Sequence, residues 1–401
     1  MRHQVRAECL IALAAVVVCG ACHTTDASPG DDAGSNELAN QDAGALPPWL
    51  TSVKVLAAGP IDTTLDCRTT LCRHSEDTDL ITWNGATWLV YRTANSQVLG
   101  PNSSLLVFRS TDEGVTFAQT ARIPAPIDRD IRDPHFYVVG NQLHLKALTR
   151  LPVPLGQGDA SAATISMGMH SADGVTWSAL APMGPVTQSF WRIKEHGGTY
   201  FSAAYDDSDA TVTLFTSKDG ETWAPGPIVY AKAEDTPGET ELVFMPSGAL
   251  LALVRMDGLP AELLGDSGRL RTKVCWAQPP AYDAFTCPQD LDGQRLDGPV
   301  AFFVGARVFV VARKHLQGTG RKRTSLFELG GTLDGGPLTV KEWGELPSAG
   351  DTAYAGVAMK ADGRAFVTWY SGELARDDTW LFGMIAPTQI WEGIVDFSKL
   401  P

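Results

Sequence analysis

Glu239 and Arg255 bracket the stretch ETELVFMPSGALLALVR, in which a carboxylate opens one apolar run and a guanidinium closes the next. Ser247-Gly248 supplies the turn between them, so a hairpin of this register brings both charges to one end of a sheet. Near the C-terminus Tyr354 stands in LPSAGDTAYAG, three residues after Asp351, and is followed by the turn Asp362-Gly363-Arg364 and by Trp369-Tyr370-Ser371. A phenol beside a carboxylate is a nucleophile with its base, because the carboxylate takes the proton as the oxygen attacks. Arginines recur at strand ends: Arg92 after WLVY, Arg132 in DIRDP, Arg192 after Phe190-Trp191, Arg255 after LLALV and Arg313 after VFVVA. Gathered at one mouth, such guanidiniums hold a carboxylate through paired N–H donors. Ser75-Glu76-Asp77-Thr78-Asp79 adds a run of carboxyls in which Asp79, with Asp77 as its neighbour, is the candidate for acid/base work.

Several chemistries are absent from the pattern. There is no phosphate-binding glycine loop, no Ser-His-Asp arrangement and no cluster of metal-ligating histidines; His135 and His144 lack a third ligand. No cofactor or metal is called for. The formal charge of −14 over 401 residues argues against a nucleic-acid surface, which needs a basic face to neutralise phosphates.

The N-terminus reads as an export signal over residues 1–22: Arg2, His3 and Arg6, then an apolar run from Cys9 to Val18, then small residues up to Cys22. Val18-Cys19-Gly20-Ala21-Cys22 resembles a bacterial lipobox, which implies lipidation of Cys22 and attachment to the cell envelope, in the outer membrane or the periplasm. Residues 23–48 carry almost no large apolar side chain and read as an acidic tether, leaving 49–401 as the folded domain. Of the seven cysteines, Cys67, Cys72, Cys275 and Cys287 remain for that domain. An even number in an oxidising compartment suggests the local disulfides Cys67–Cys72 and Cys275–Cys287, with a four-cysteine zinc site as the alternative.

Across that domain short β-type runs alternate with turn-formers such as Asn84-Gly85, Gly140-Asn141 and Gly197-Gly198, and no long stretch has helical periodicity. One element repeats: Ser110-Thr-Asp112-Glu-Gly114-Val-Thr116-Phe117, Ser171-Ala-Asp173-Gly174-Val-Thr176-Trp177 and Ser217-Lys-Asp219-Gly220-Glu-Thr222-Trp223. Each follows a strand run, and self-similarity of this kind marks a radial or stacked repeat. The element resembles the Asp-box of sialidase-like β-propellers. The resemblance implies an all-β fold of six blades, five being the alternative, near 76–120, 131–181, 186–227, 236–285, 296–340 and 350–395, with residues 53–57 completing the last.

The resemblance further implies an exo-sialidase-like glycoside hydrolase with Tyr354 as nucleophile and Glu239 as its base. Arg92, Arg132, Arg192, Arg255, Arg313, Asp351 and Tyr370 would form the wall that binds a terminal acidic sugar. One departure stands out: the first blade reads Ser75-Glu76-Asp77 where such proteins open with Arg-Ile-Pro. Two alternatives follow. One is a non-catalytic surface propeller that binds glycans or proteins. The other is a furanosidase-like enzyme, suggested by Arg132-Asp133-Pro134, that would pair Asp133 with Glu239. The expected partners are a glycan or small sugar and, through the lipid, a membrane; the domain is expected to be a monomer.

Overall fold

The computed structural model describes residues 46–98, 102–151, 164–206, 208–257 and 270–400. The signal, Cys22 and most of the tether lie outside the described residues. Strands dominate. Four sheets are antiparallel meanders with inner strands Asp130–Val139, Ser189–Phe190 with Lys194–His196, Pro237–Phe244 and Asp297–Val304. The fifth sheet has eight strands and joins a meander that starts at His74–Trp83 to one that starts at Thr352–Met359, through a single parallel bridge between His74 and Thr388. Leu50–Ala58 adds the outermost strand beside Thr388–Val395, so the N-terminal end of the domain completes its C-terminal meander. The arrangement is that of a β-propeller.

Why the meanders form a ring is seen in the apolar side chains. They gather into six clusters among the described residues, each lying between two consecutive meanders. Leu80, Leu89 and Leu106 of the first meander share one cluster with Ala358, Phe366 and Ile390 of the last, which closes the circle. A sheet with two buried faces has no reason to alternate strictly, and the run Leu250–Met256 is buried at every position. Cys67 is disulfide-bonded to Cys72 and Cys275 to Cys287, so these thiols are not free for a four-cysteine zinc site.

The repeated element is a hook. In each copy the serine hydroxyl accepts the glycine N–H at 2.8 Å, and the aspartate accepts the threonine N–H at 2.7–2.9 Å. The glycine, at positive φ, then lies flat on the neighbouring meander: Gly114 on Phe366, Gly174 on Trp88, Gly220 on Val139 and Tyr137. A side chain there would strike that neighbour.

The inner strands start at one face, called the mouth, and run to the opposite face, where the hooks lie. Leu50 pairs with Val395 and Ala58 with Gln389, so the described chain enters at the face opposite the mouth.

Gly174→Ala tests the hook, since its Cβ would fall 2.0 Å from the Trp88 ring at a φ of +72°. We expect a loss of about 3 kcal/mol in urea unfolding, from overpacking and the left-handed backbone together. Gly197→Ala, at φ +58° with nothing within 4 Å, should cost only about 1 kcal/mol, for the backbone alone.

Candidate functional site

Five inner strands carry the same irregularity. The register slips between Glu76 and Asp79, Arg132 and His135, Pro237 and Thr240, Asp297 and Val300, and Ala353 and Gly356, each time setting two residues against one. Such bulges bend a strand and re-aim its side chains. Asp77, Asp133, Gly298 and Tyr354 sit in four of them with φ of 55°, 50°, 52° and 46°, and Glu239 sits in the fifth. The bulges bring to the mouth Asp77 (5% exposed), Asp133 (8%), Glu239 (7%) and Tyr354 (5%).

Tyr354 donates its phenolic hydrogen to Glu239 Oε1 in a short contact. Arg255 Nη1 donates to the same phenolic oxygen at 2.9 Å and lies 2.6 Å from Glu239 Oε1; Arg313 Nη2 reaches Tyr354 Oη at 3.3 Å. The Gly298 N–H holds Glu239 Oε2 at 2.9 Å, and a Cβ on Gly298 would meet the Tyr354 ring at 3.0 Å. Gly298 therefore makes room for the Tyr354 ring and holds Glu239, a role that no sequence signal announced. Trp191 closes the far side of the ring, edge to face at 5.8 Å.

Burial and the Glu239 charge push the Tyr354 hydroxyl far up, against the pull of Arg255 and Arg313. Burial raises Glu239 as well, opposed by Arg255. The proton thus rests on the phenol and has an acceptor waiting, while two guanidiniums face the oxygen on which negative charge would grow. That is the electrostatic arrangement of an activated nucleophile.

Other expected site residues lie elsewhere. Asp79 does not face the mouth: it pairs with Arg192 and accepts the Phe136 N–H at 2.7 Å. Asp77 is the carboxyl that reaches the site, and burial together with Glu76 and Asp133 raises it well above the usual carboxylate range. Arg92 is buried between Glu76 and Asp130, with Asp130 at 2.7 Å, and offers nothing to a ligand. Arg132 joins the same Asp130 at the mouth's edge. Asp351 and Tyr370 stand behind the site: Tyr370 donates to Asp351 Oδ1 at 3.0 Å, and Asp351 in turn holds Arg313 Nη1 at 3.0 Å. Asp257, Arg295 and Asp297, which sequence reasoning passed over, complete the shell by pairing with Arg255 and with one another. Among the described residues His74, Glu76 and Asp351 form one possible metal cluster, His144, His170 and Glu221 another.

A cavity of about 610 Å³ opens at the opposite face, lined by Ile81, Phe136, Leu242, Phe244, Phe303 and Lys194 among others. None of the charged residues or tyrosines of the site and its shell lines it.

No family model matches this sequence, and no curated protein matches it at the level of sequence. Solved structures do. A protein of unknown function from Dyadobacter fermentans superposes with a TM-score of 0.62 at 16% identity, over 87% of this chain and 99% of its own. The NanB sialidase of Streptococcus pneumoniae gives 0.62 at 9% identity, over 86% and 71%. The chain has a sialidase-like propeller fold. The intramolecular trans-sialidase of Ruminococcus gnavus agrees, with 0.60 at 12% identity over 85% and 98%. At such identities the likeness concerns the fold alone, and the chemistry of this propeller must be argued from its own mouth.

The ion pairs behind the site can be weighed by Arg92→Met, which leaves buried Glu76 with His74 alone and Asp130 with Arg132 alone. The expected cost is about 3–5 kcal/mol in urea unfolding at pH 7. Burial alone would raise Glu76, but Arg92 and His74 hold it at about 2 against an ordinary 4.5. The folded state therefore releases this proton more readily than the unfolded one. The stability so gained is whole above pH 4.5 and drains as pH falls toward 2; Arg92→Met should flatten that slope.

Proposed function

We propose that this protein is a retaining glycoside hydrolase that uses Tyr354 as its nucleophile. The observation that supports the reading best is the phenol of Tyr354 donating to Glu239 while Arg255 and Arg313 point at the same oxygen. In the first step Tyr354 Oη attacks the anomeric carbon and its proton passes to Glu239. The bond from that carbon to the leaving oxygen breaks, and Asp77, kept protonated by its surroundings, gives that oxygen a proton. In the second step water loses a proton to Asp77 and attacks the same carbon, and the phenol leaves, recovering its proton from Glu239. Two displacements return the original configuration.

The propeller is read here as six blades, with the eight-stranded sheet counted as two and Leu50–Ala58 closing the last. Export and lipidation at Cys22 belong to the same proposal. An anchor at Cys22, through the acidic tether, would hold the domain off the membrane surface, among surface or periplasmic glycans. The alternative of a non-catalytic glycan-binding propeller draws support from the burial of Arg92 and the engagement of Asp79, which remove two expected contributors from the site.

A panel of 4-methylumbelliferyl glycosides, the α-N-acetylneuraminide included, offered to the full chain decides between these readings. Tyr354→Phe should abolish turnover with the thermal midpoint unchanged, and Glu239→Gln should lower kcat by ~10²–10⁴-fold, the share of a positioned base. Full activity in Tyr354→Phe would refute the nucleophile; no turnover on any glycoside would favour the binding role.

A further inference from the structure

Two imidazoles meet a carboxylate at the face opposite the mouth. His144 stands near the start of the strand Gln142–Arg150, directly across from His170 on one side and Tyr137 on the other, so the three rings form a row across the second meander. The hook of the third meander lies on that row. Tyr137 donates its hydroxyl hydrogen to the Gly220 carbonyl at 2.9 Å, and Glu221, the next residue, brings Oε1 to 3.2 Å from His170 Nδ1. A ring nitrogen from each histidine and an oxygen from Glu221 lie within 4.8 Å of one another. His144 is 2% exposed and its Nε2 has no hydrogen-bond partner, although buried polar atoms are nearly always satisfied. In the other two hooks the place of Glu221 is taken by Val115 and Val175, both exposed. Of the three hooks, the one that faces the histidine pair is the one that carries a carboxylate there.

We propose that His144, His170 and Glu221 bind a divalent transition-metal ion, zinc above all, and that the ion clamps the second meander to the third. Two imidazole nitrogens and one carboxylate oxygen suit zinc and its neighbours, whereas calcium and magnesium take oxygen ligands. Ligand atoms about 2.0–2.1 Å from a tetrahedral ion stand about 3.4 Å apart, close to the 3.2 Å that already separates His170 from Glu221. Glu221 is exposed and His170 half-buried, so the ion has a way in and a fourth position that water can fill. Neighbouring cations are engaged elsewhere: Lys218 of the same hook reaches Thr199 Oγ1 at 2.5 Å, and Lys146, two residues beyond His144, reaches the Asp133 carbonyl oxygen at 3.2 Å. His74, Glu76 and Asp351 make the poorer site, because Arg92 and Arg313 lie against those carboxylates and repel a metal. The clamp stands apart from Tyr354 and its chemistry.

Untagged full-length protein, stripped with a chelator and titrated with Zn²⁺ by calorimetry, tests the site. Two variants go with it: Glu221→Val, which borrows the side chain of the other hooks, and His170→Ala, at a half-buried position. The native chain should bind one equivalent of Zn²⁺ more than either variant. At a hundredfold excess over Kd that ion should raise the thermal midpoint by about 3 °C, a shift that both variants lose and that Ca²⁺ does not reproduce. Equal zinc uptake by the native chain and both variants would overturn the proposal, whether the uptake is nil, as for a plain His170–Glu221 ion pair, or falls on other residues. A midpoint raised as far by Ca²⁺ would overturn it too.

Discussion

A charge taken out of water must be matched, and the mouth of this propeller is built around that requirement. Its inner strands bring at least ten acidic and basic side chains into a region where most are less than a tenth exposed. An isolated ion there would cost several kcal/mol, so nearly every one is placed against its opposite. Arg255 alone touches Glu239, Asp257 and Asp297, each from a different stretch of chain. The pairs run between meanders as well as within them: Arg192 reaches Asp79 across the axis, and Arg313 reaches Asp351 in the next meander. The lattice therefore ties the blades together at one face while fixing Tyr354 and Glu239.

The bulge supplies the aim. In a regular strand alternate side chains point to opposite faces, so the inner strand would send its polar residues toward the neighbouring sheets, where no water or partner awaits. One extra residue near the start of the strand breaks that phase and lets a side chain point up into the mouth. The same device, repeated from meander to meander, delivers Asp77, Asp133, Glu239 and Tyr354 to one place, and leaves at Gly298 the gap that the tyrosine ring fills.

The sequence discloses the local parts of this design and hides the non-local ones. The serine, aspartate and glycine of each hook bond within a few residues of one another, so the fold is written in short motifs. Tyr354 and Glu239 are legible for the same reason: each lies at a marked place in its own hairpin. Asp77 and Asp79 could not be told apart by alternation, because both have the same parity until the bulge between Glu76 and Asp79 shifts it. Arg92 and Arg192 look like ligand-binding guanidiniums as long as their partners, Asp130 and Asp79, are unknown, and those partners come from other meanders. A charge at the end of a strand is visible in a sequence; whether it is already spent is a fact of the tertiary structure.

This division has a consequence for how such a protein can change. The hooks sit at the face opposite the mouth and bear on aromatic and aliphatic groups of the next sheet, as Gly174 does on Trp88. They hold the ring without reference to the charges above. The mouth, in turn, accepts any set of side chains that keeps its ions paired. Glu76 is tolerable there because Arg92 and His74 lie against it, and Asp133, which makes no ion pair among the described residues, has the Lys146 ammonium 3.2 Å from its carbonyl oxygen. A fold held from its far face can alter the charges at its mouth while Tyr354, Glu239 and the two arginines on the phenol stay where they are.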